Sequence, residues 1–518
     1  MVADDPGTFG SHEGALTPLS APYRAVTVGL VTLITLVAFE ALAVATAMPV
    51  AARELGGLRY YGLAFSLFLT TSLLGIVIGG GWCDRVGARA PLLAALILFS
   101  GGLILSGSAT SYPVMLMGRA ISGAGGGLEI VALFVVIAMI YPESLQPRVV
   151  AAVSAAGVLP SVIGPPIAGE LAGQWSWRAV FLLVPPLALV PPLMLWPRLG
   201  RGDHPPRQHG PHSPHGPPEA PGSPRSADSP DSSDAPDLLH QPEMLYPSDS
   251  LDPSDSLDPS ASLDPPGSRD MVGLVVRGVA LAGGAALLQF GLQGAGGMPE
   301  LSMGVGVLLL AWSVPSSVPR GTLRLARGLP ALIVVRSLLT SAYFGAETFV
   351  PLMLVEQRRL SPTMAGLALT AGAVGWAGGS WLQGRPGLRA GRITLLAAGG
   401  VVVGVAILLL VPTVFSAVPV WLVAPVWAFG GLGMGLGMSS TSVLTLRLSG
   451  PGEAGRNASG LQIGDALGSV LGIGAAGAVF SALHDPGGSD VGTYALIWTM
   501  LGFIGLLSGL VAFRVRER

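Results

Sequence analysis

Fourteen runs of apolar residues, from about 18 to 29 residues long, alternate with short polar stretches along the chain. Each run is long enough to cross about 30 Å of hydrocarbon at about 1.5 Å per helical residue, so each predicts a transmembrane helix. Six come first: Ala25–Val50, Tyr61–Trp82, Pro91–Ala109, Val114–Tyr141, Val149–Gly173 and Trp177–Trp196. Two follow a long polar interruption, Met271–Gly297 and Leu301–Pro319. Six more complete the chain: Leu329–Val355, Ala365–Leu382, Ile393–Pro412, Val418–Leu446, Ala458–Leu483 and Val491–Phe513. The pattern predicts an all-α polytopic membrane protein with a polar tail (1–24), a six-helix bundle (25–198), a linker (199–270), two extra central helices (271–319) and a second six-helix bundle (329–513). The first run is too long for a signal-peptide core and reads as an uncleaved helix.

The linker obeys different physics from the rest. Between Asp203 and Asp270 there are 13 acidic residues and three Arg, a balance of −10 that leaves +8 for the remainder of a chain whose total is −2. It is dense in Pro, Ser and Asp, and repeats Pro-Ser-Asp-Ser-Leu-Asp from Pro247 and from Pro253, then Pro-Ser-Ala-Ser-Leu-Asp from Pro259. So little apolar surface cannot offset the entropy of ordering, which predicts a disordered tether. Five of the seven His lie in it or at its edge, but their spacing matches no closed metal site.

Composition narrows the function. Half of the 518 residues are hydrophobic and 11% are charged, against a usual quarter, which excludes an ordinary soluble enzyme. All 28 basic residues are Arg, so there is no lysine for a phosphate-binding loop or a Schiff base. ATP as a direct energy source, a cofactor, a metal centre and nucleic acid are therefore not expected. The Arg distribution gives an orientation. With the N-terminus inside, 20 Arg fall in cytoplasmic segments, five in outer loops and three within spans. That places both termini and the linker in the cytoplasm.

Ionisable residues inside spans cost about 2.5 to 3.5 kcal/mol each on insertion scales, which makes them functional candidates. The deep ones are Glu40, Arg119, Glu129, Glu347 and Asp465, all candidates for proton coupling. Glu170, Arg277 and Arg336 sit nearer span ends, where snorkelling accounts for them. Two readings of Glu40 stand side by side: a proton-coupling carboxyl, or a structural partner of Arg119. Asp465, between Gly464 and Gly468, reads equally as a packing residue or a proton site. Glu129 lies ten residues beyond Arg119, about 15 Å along a helix, which disfavours direct pairing between the two. Phe39, Tyr343, Phe344 and Phe349 flank Glu40 and Glu347 and are candidates to line an apolar cavity.

Gly80-Gly81-Trp82-Cys83-Asp84-Arg85-Val86-Gly87-Ala88-Arg89 resembles the signature loop of the major facilitator superfamily, Gly-x-x-x-Asp-Arg-x-Gly-x-Arg. Three further stretches resemble its fourteen-span drug:proton antiporters. These are Glu40 with Pro49 nine residues on, Arg119-Ala-Ile-Ser-Gly123-Ala-Gly125, and Gly157 followed by Gly164-Pro165-Pro166-Ile167-Ala168-Gly169. The resemblance implies two bundles that alternate access to a central cavity, and the last motif implies export. It also implies that Asp84 latches onto the N-terminal end of the eleventh core helix, near Asn457 and Ala458, with Gly80 permitting close helix approach and Pro165 and Pro166 bending their helix. The implied function is a proton-coupled exporter of small lipophilic compounds in the cell membrane, with a dedicated exporter of one endogenous metabolite or lipid as the alternative. The match is incomplete: Glu40 stands where Asp is usual, Ser122 replaces a frequent Gln, and the second half's loop from Gly384 to Arg389 has no acid.

Overall fold

The computed structural model describes residues 17–20, 23–142, 144–199, 268–295, 297–383, 385, 390–450 and 453–515. The acidic linker up to residue 267, most of the N-terminal tail and nearly all of the loop from Gly384 to Arg389 lie outside the described residues.

The described residues are helical, with no strand among them. The first bundle comprises α1 (Arg24–Glu54), α2 (Leu63–Val86), α3 (Arg89–Gly107), α4 (Tyr112–Ile140), α5 (Gln146–Ala156), α6 (Val158–Glu170), α7 (Trp177–Leu182), α8 (Val184–Ala188) and α9 (Val190–Leu199). The extra pair is α10 (Ser268–Leu292) and α11 (Pro299–Ser317). The second bundle comprises α12 (Leu329–Leu352), α13 (Pro362–Gln383), α14 (Arg392–Leu410), α15 (Val423–Leu448), α16 (Ala454–Leu483) and α17 (Val491–Val511).

Among the described residues, eleven helices are long and apolar enough to cross a membrane, against fourteen apolar runs in the sequence. The other three runs are helical too. The fifth is split at Gly157 into α5 and α6, and α6 passes through Pro165 and Pro166 before ending in a π turn at Leu171–Trp175. The helix thus continues through the two prolines expected to bend it, and its break lies eight residues earlier, at the glycine. α11 and α13 fall short on hydropathy: α13 carries five glycines and two tryptophans in 22 residues. The sixth run becomes three short helices, because Pro185-Pro186 and Pro191-Pro192 each sit at the first positions of a new segment, where a missing N–H costs nothing.

Glycine lets the helices approach closely. A Cβ on Gly127 of α4 would collide with the Ser72 carbonyl of α2, and one on Gly375 of α13 with the Ala428 carbonyl of α15. Within membranes such backbone approach supplies the packing that apolar lipid cannot drive. The signature-loop glycine behaves otherwise: a Cβ on Gly80 would meet nothing within 4 Å, and the close approach of α2 to α4 is made at Gly75 and Gly79. Gly87 caps α2 at φ 75, a conformation that an L side chain rarely adopts.

α2 and α3 pack on α4, and α1 packs on α6, α7 and α9. In the second bundle α13 and α14 pack on α15, and α12 packs on α16 and α17. The two bundles meet through α6 with α13, α2 with α16, and α1 with α12 and α13.

Candidate functional site

Between the bundles lies a cavity of about 550 Å³, within the range of ligand pockets for small molecules. Its wall is mostly apolar and aromatic, drawn from α1, α2, α12 and α13, with Phe65, Phe68, Tyr343, Phe344 and Trp376 as its large faces. Two charged side chains reach it, Arg119 and Glu347, along with the hydroxyl residues Ser161, Thr348 and Ser380. Of the four aromatic residues expected here, Tyr343 and Phe344 line the cavity and Phe39 and Phe349 do not. Phe39 packs against Gly164, at 3.3 Å from where a Cβ would stand, and Phe349 is fully buried between Tyr61 and Phe480 at ring distances of 5.5 and 5.6 Å. Sequence reasoning does not reach Phe65, Phe68 and Trp376, since an aromatic residue in an apolar helix does not announce which face it occupies.

Arg119 is buried, at 2% exposure, and is paired with Glu40 at 1%. Its Nη1 donates to Glu40 Oε1, its Nε donates to the Ala64 carbonyl at 3.1 Å, and its guanidinium lies 4.4 Å from the centre of the Phe68 ring. The second carboxylate oxygen of Glu40 is buried without a hydrogen-bond partner. An ion pair taken out of water costs several kcal/mol per charge, and an unmade bond on a buried carboxylate adds to that.

The other candidate charges are separated from this one. Glu347 lines the cavity directly. Glu129 is buried at 2% on α4 with its Oε2 unpartnered, and it is not part of the cavity wall. Asp465 accepts from Arg336, Nε to Oδ1 at 2.9 Å and Nη2 to Oδ2 at 3.4 Å. This corrects the snorkelling assigned to Arg336: its side chain is buried, and Nη1 also donates to Thr441 Oγ1 at 2.6 Å. Arg336 lies near the start of α12, but neighbouring helices cover that turn, so the head group turns inward to an acid.

The antiporter-motif glycines lie against other helices. Gly157 forms the α5–α6 break and borders the cavity. Gly164 faces Phe39 of α1, a Cβ on Gly169 would lie 2.5 Å from Thr363 Cα, and the Pro165 carbonyl lies against Gly366 of α13. These contacts belong to a seal between the bundles that includes the Arg53–Glu356 ion pair, Thr363 Oγ1 donating to Glu170 Oε2 at 3.1 Å, and Thr370 Oγ1 donating to the Val162 carbonyl at 2.9 Å. The seal lies at one end of the helices, and Asp84, Arg85 and Arg89 lie at the other. There Asp84 is exposed and, among the described residues, makes no hydrogen bond or ion pair. The helix expected to receive it begins at Ala454, three residues before Asn457, and already has an acid, Glu453, at its N-cap. With the bundles joined at the far end, the Asp84 latch is not made.

The match to the family model described as Major Facilitator Superfamily spans residues 28–456. A multidrug transporter, MdtP, of Bacillus subtilis (strain 168) is 29% identical over 161 residues, 31% of this chain and 30% of the relative. A protein named as a multidrug-efflux transporter in Mycobacterium tuberculosis (strain ATCC 25618 / H37Rv) is 28% identical over 189 residues, 35% of this chain and 40% of its own. An MFS-type transporter of the acurin A biosynthesis cluster in Aspergillus aculeatus (strain ATCC 16872 / CBS 172.66 / WB 5094) is 31% identical over 154 residues, 29% of this chain and 27% of its own. These alignments thus span well under half the length of the relatives. Among solved structures, a bacterial homolog of the human lysosomal transporter Spinster covers 96% of this chain and 99% of its own at 15% identity, with a TM-score of 0.60. A POT family transporter covers 94% and 95% at 12% identity, with a TM-score of 0.62. Helix-rich bundles around a central cavity, the Asp84 loop and a family match over most of the chain lead to one conclusion: this multi-pass membrane protein belongs to the major facilitator superfamily of transporters.

Proposed function

We propose that the protein is a proton-coupled antiporter that exports lipophilic compounds across the cell membrane by alternating access. The carrying observation is the apolar cavity, which two charged side chains enter, one of them Arg119 held by the buried Glu40. The names of the multidrug relatives support a drug-like substrate. On this reading the chain crosses the membrane fourteen times in a 6 + 2 + 6 arrangement, with both termini and the linker cytoplasmic. The seal at Arg53–Glu356 then closes the outer end, and the cavity opens inward.

A substrate enters from the cytoplasmic side and packs on Phe68, Tyr343, Phe344 and Trp376, with Glu347 facing any cationic centre. A proton arriving from outside neutralises Glu40, weakens its hold on Arg119, and leaves the guanidinium, still held by the Ala64 carbonyl and the Phe68 ring, as an uncompensated cation at the cavity wall that repels a cationic substrate. One charge moved through about 100 mV yields roughly 2.3 kcal/mol, near a fiftyfold concentration ratio. The test is uptake of lipophilic cations and antibiotics into everted vesicles under an imposed pH gradient, with and without an uncoupler. Uptake that an uncoupler leaves unchanged, or no uptake of any compound, refutes proton coupling. A second reading, a dedicated exporter of one endogenous metabolite, has support from the relative attributed to a biosynthesis cluster. Transport of a single compound from a broad panel favours it.

A further inference from the structure

Beside the extra hairpin the two bundles meet glycine to glycine. Gly62, at the start of α2, faces Gly477 of α16, and a Cβ on it would lie 3.1 Å from the Gly477 Cα and 3.4 Å from the Ile473 carbonyl. Arg59, also of the first bundle, reaches across the same seam, Nε to Ser481 Oγ at 3.4 Å. The contact is at the seal end of the helices. Here α10 ends, and Gln293, the first residue past it, puts its side-chain amide into the seam: Nε2 lies 3.7 Å from the Cβ position of Gly62 and 2.9 Å from that of Gly477. One amide therefore lies against both bundles where they touch.

That is a poor place for a polar group. Gln293 is 1% exposed, and neither Nε2 nor Oε1 has a hydrogen-bond partner. A buried donor and acceptor left unpaired forgo the bonds that water would give them. Gln289, one turn earlier, packs on Gly474 of α16; its Nε2 donates to the Val470 carbonyl at 3.1 Å, and its Oε1 is unpartnered too. The two glutamines differ in what covers them. Gln289 rests on α16, whereas part of the cover over Gln293 is Gly62 of the other bundle. The end of α10 is itself tied to the second bundle, since the Gln293 carbonyl accepts from Ser481 Oγ at 2.8 Å. When the bundles part at this end, Gly62 is therefore the piece that leaves. A polar hollow of about 280 Å³, lined by Arg59, Glu300 and Ser481 as well as Gln293, borders the seam and brings water to the uncovered amide.

We infer that Gln293 is a wedge in the seal: its amide is unpaired while this end is shut and hydrated once it opens, so it shifts the balance between the two states toward the open one. The inference rests on the alternating-access reading above and gives the extra helix pair a part in it. Only a difference between two states moves their equilibrium, and an amide paired in both, or in neither, would have no such effect. An exporter has to break this seal in every cycle. A residue that destabilises the shut state alone makes that step easier without weakening either bundle.

The test is the separation of spin labels at Ser108 and Ser416, exposed positions at the seal ends of α3 and of the turn after α14, in the full-length protein carrying Cys83→Ser, in lipid nanodiscs across a pH series. Wild type should show a short and a long separation. Gln293→Met keeps the length of the side chain and removes the amide, and it should lower the long-to-short ratio about tenfold, roughly 1.4 kcal/mol. Gln289→Met should leave the ratio unchanged, and Gly62→Ala should raise it, because its Cβ would press on the Gly477 Cα. A ratio that Gln293→Met leaves alone or raises, or an equal fall in Gln289→Met, overturns the wedge while alternating access stands. A single separation in wild type at every pH overturns the alternating seal and the wedge with it. Since Gln293→Met replaces an unpaired amide with an apolar group, its melting temperature should be no lower than that of wild type; a lower one means that the amide holds the shut state together, and overturns the inference.

Discussion

Each bundle buries one arginine against one acid, and the two pairs are built differently. In the first, Glu40 and Arg119 are both nearly inaccessible, Arg119 faces the cavity, and one oxygen of Glu40 has no partner. In the second, Arg336 grips Asp465 through two nitrogens, donates its third to Thr441, and lies away from the cavity wall. A saturated pair is a joint: nothing is gained by a change in its protonation. An under-satisfied pair at a cavity wall suits a switch, because protonation of its acid would leave an uncompensated cation at the wall that a substrate meets. The comparison supports, as a proposal, the proton-coupling role for Glu40 and a structural one for Asp465.

The largest expected effect on transport is that of Glu40→Gln. It keeps the shape and a hydrogen bond to Arg119 but removes the titratable group. Proton-driven uptake into everted vesicles should fall by more than about tenfold, roughly 1.4 kcal/mol or more. Substrate binding measured without a gradient should persist. Uptake at the wild-type level, still sensitive to an uncoupler, would transfer the coupling role to another acid, with Glu347 next in line because it opens on the cavity.

Asp465→Asn should do the reverse. Removing one member of a buried pair leaves the other uncompensated at about 3 to 5 kcal/mol, and the lower end applies because the Asp465 side chain is 24% exposed. The readout is thermal stability in detergent, which should drop while the pH dependence of transport is retained in the folded fraction. Replacing both partners together, Arg336→Leu with Asp465→Leu, should recover most of that stability, since an apolar pair of similar volume is often neutral. A pH profile altered in either variant would make the second pair a switch as well.

Much of this contrast was readable in the sequence, and the unread part has a physical cause. Apolar run length marks where helices lie, and the cost of a charge in hydrocarbon marks Glu40, Arg119, Glu129, Glu347 and Asp465 as exceptional. Which charges meet is a tertiary fact. Arg336 and Asp465 are 129 positions apart, and Arg336, eight residues into its helix, has the look of a snorkelling residue until α15 and α16 are seen to cover it. The same holds for the cavity. Phe39 and Phe349 are next to or near the key acids in sequence, but adjacent helical residues point about 100° apart, so neighbours of a cavity residue face elsewhere. The glycine motif on α6 was recognisable by spacing, but its partners on α1 and α13, Phe39 and Thr363, come from packing alone.

The smallest effect expected is that of Thr441→Val, and it tests the comparison most finely. Valine keeps the volume of threonine and removes one hydroxyl, which accepts from Arg336 at 2.6 Å and donates to the Met438 carbonyl at 2.8 Å. Arg336 Nη1 keeps only the longer contact to that same carbonyl, at 3.4 Å. A hydrogen bond to a charged group contributes about 1.5 to 3 kcal/mol, and the remaining contact offsets part of it, so a loss of about 1.5 kcal/mol is expected. That is a few degrees in melting temperature, with unchanged uptake at every pH. If instead stability is unaltered and the pH profile of uptake shifts, the hydroxyl has been setting the proton affinity of Asp465. The saturation that distinguishes the second pair from the first would then be tuning a switch rather than holding a joint.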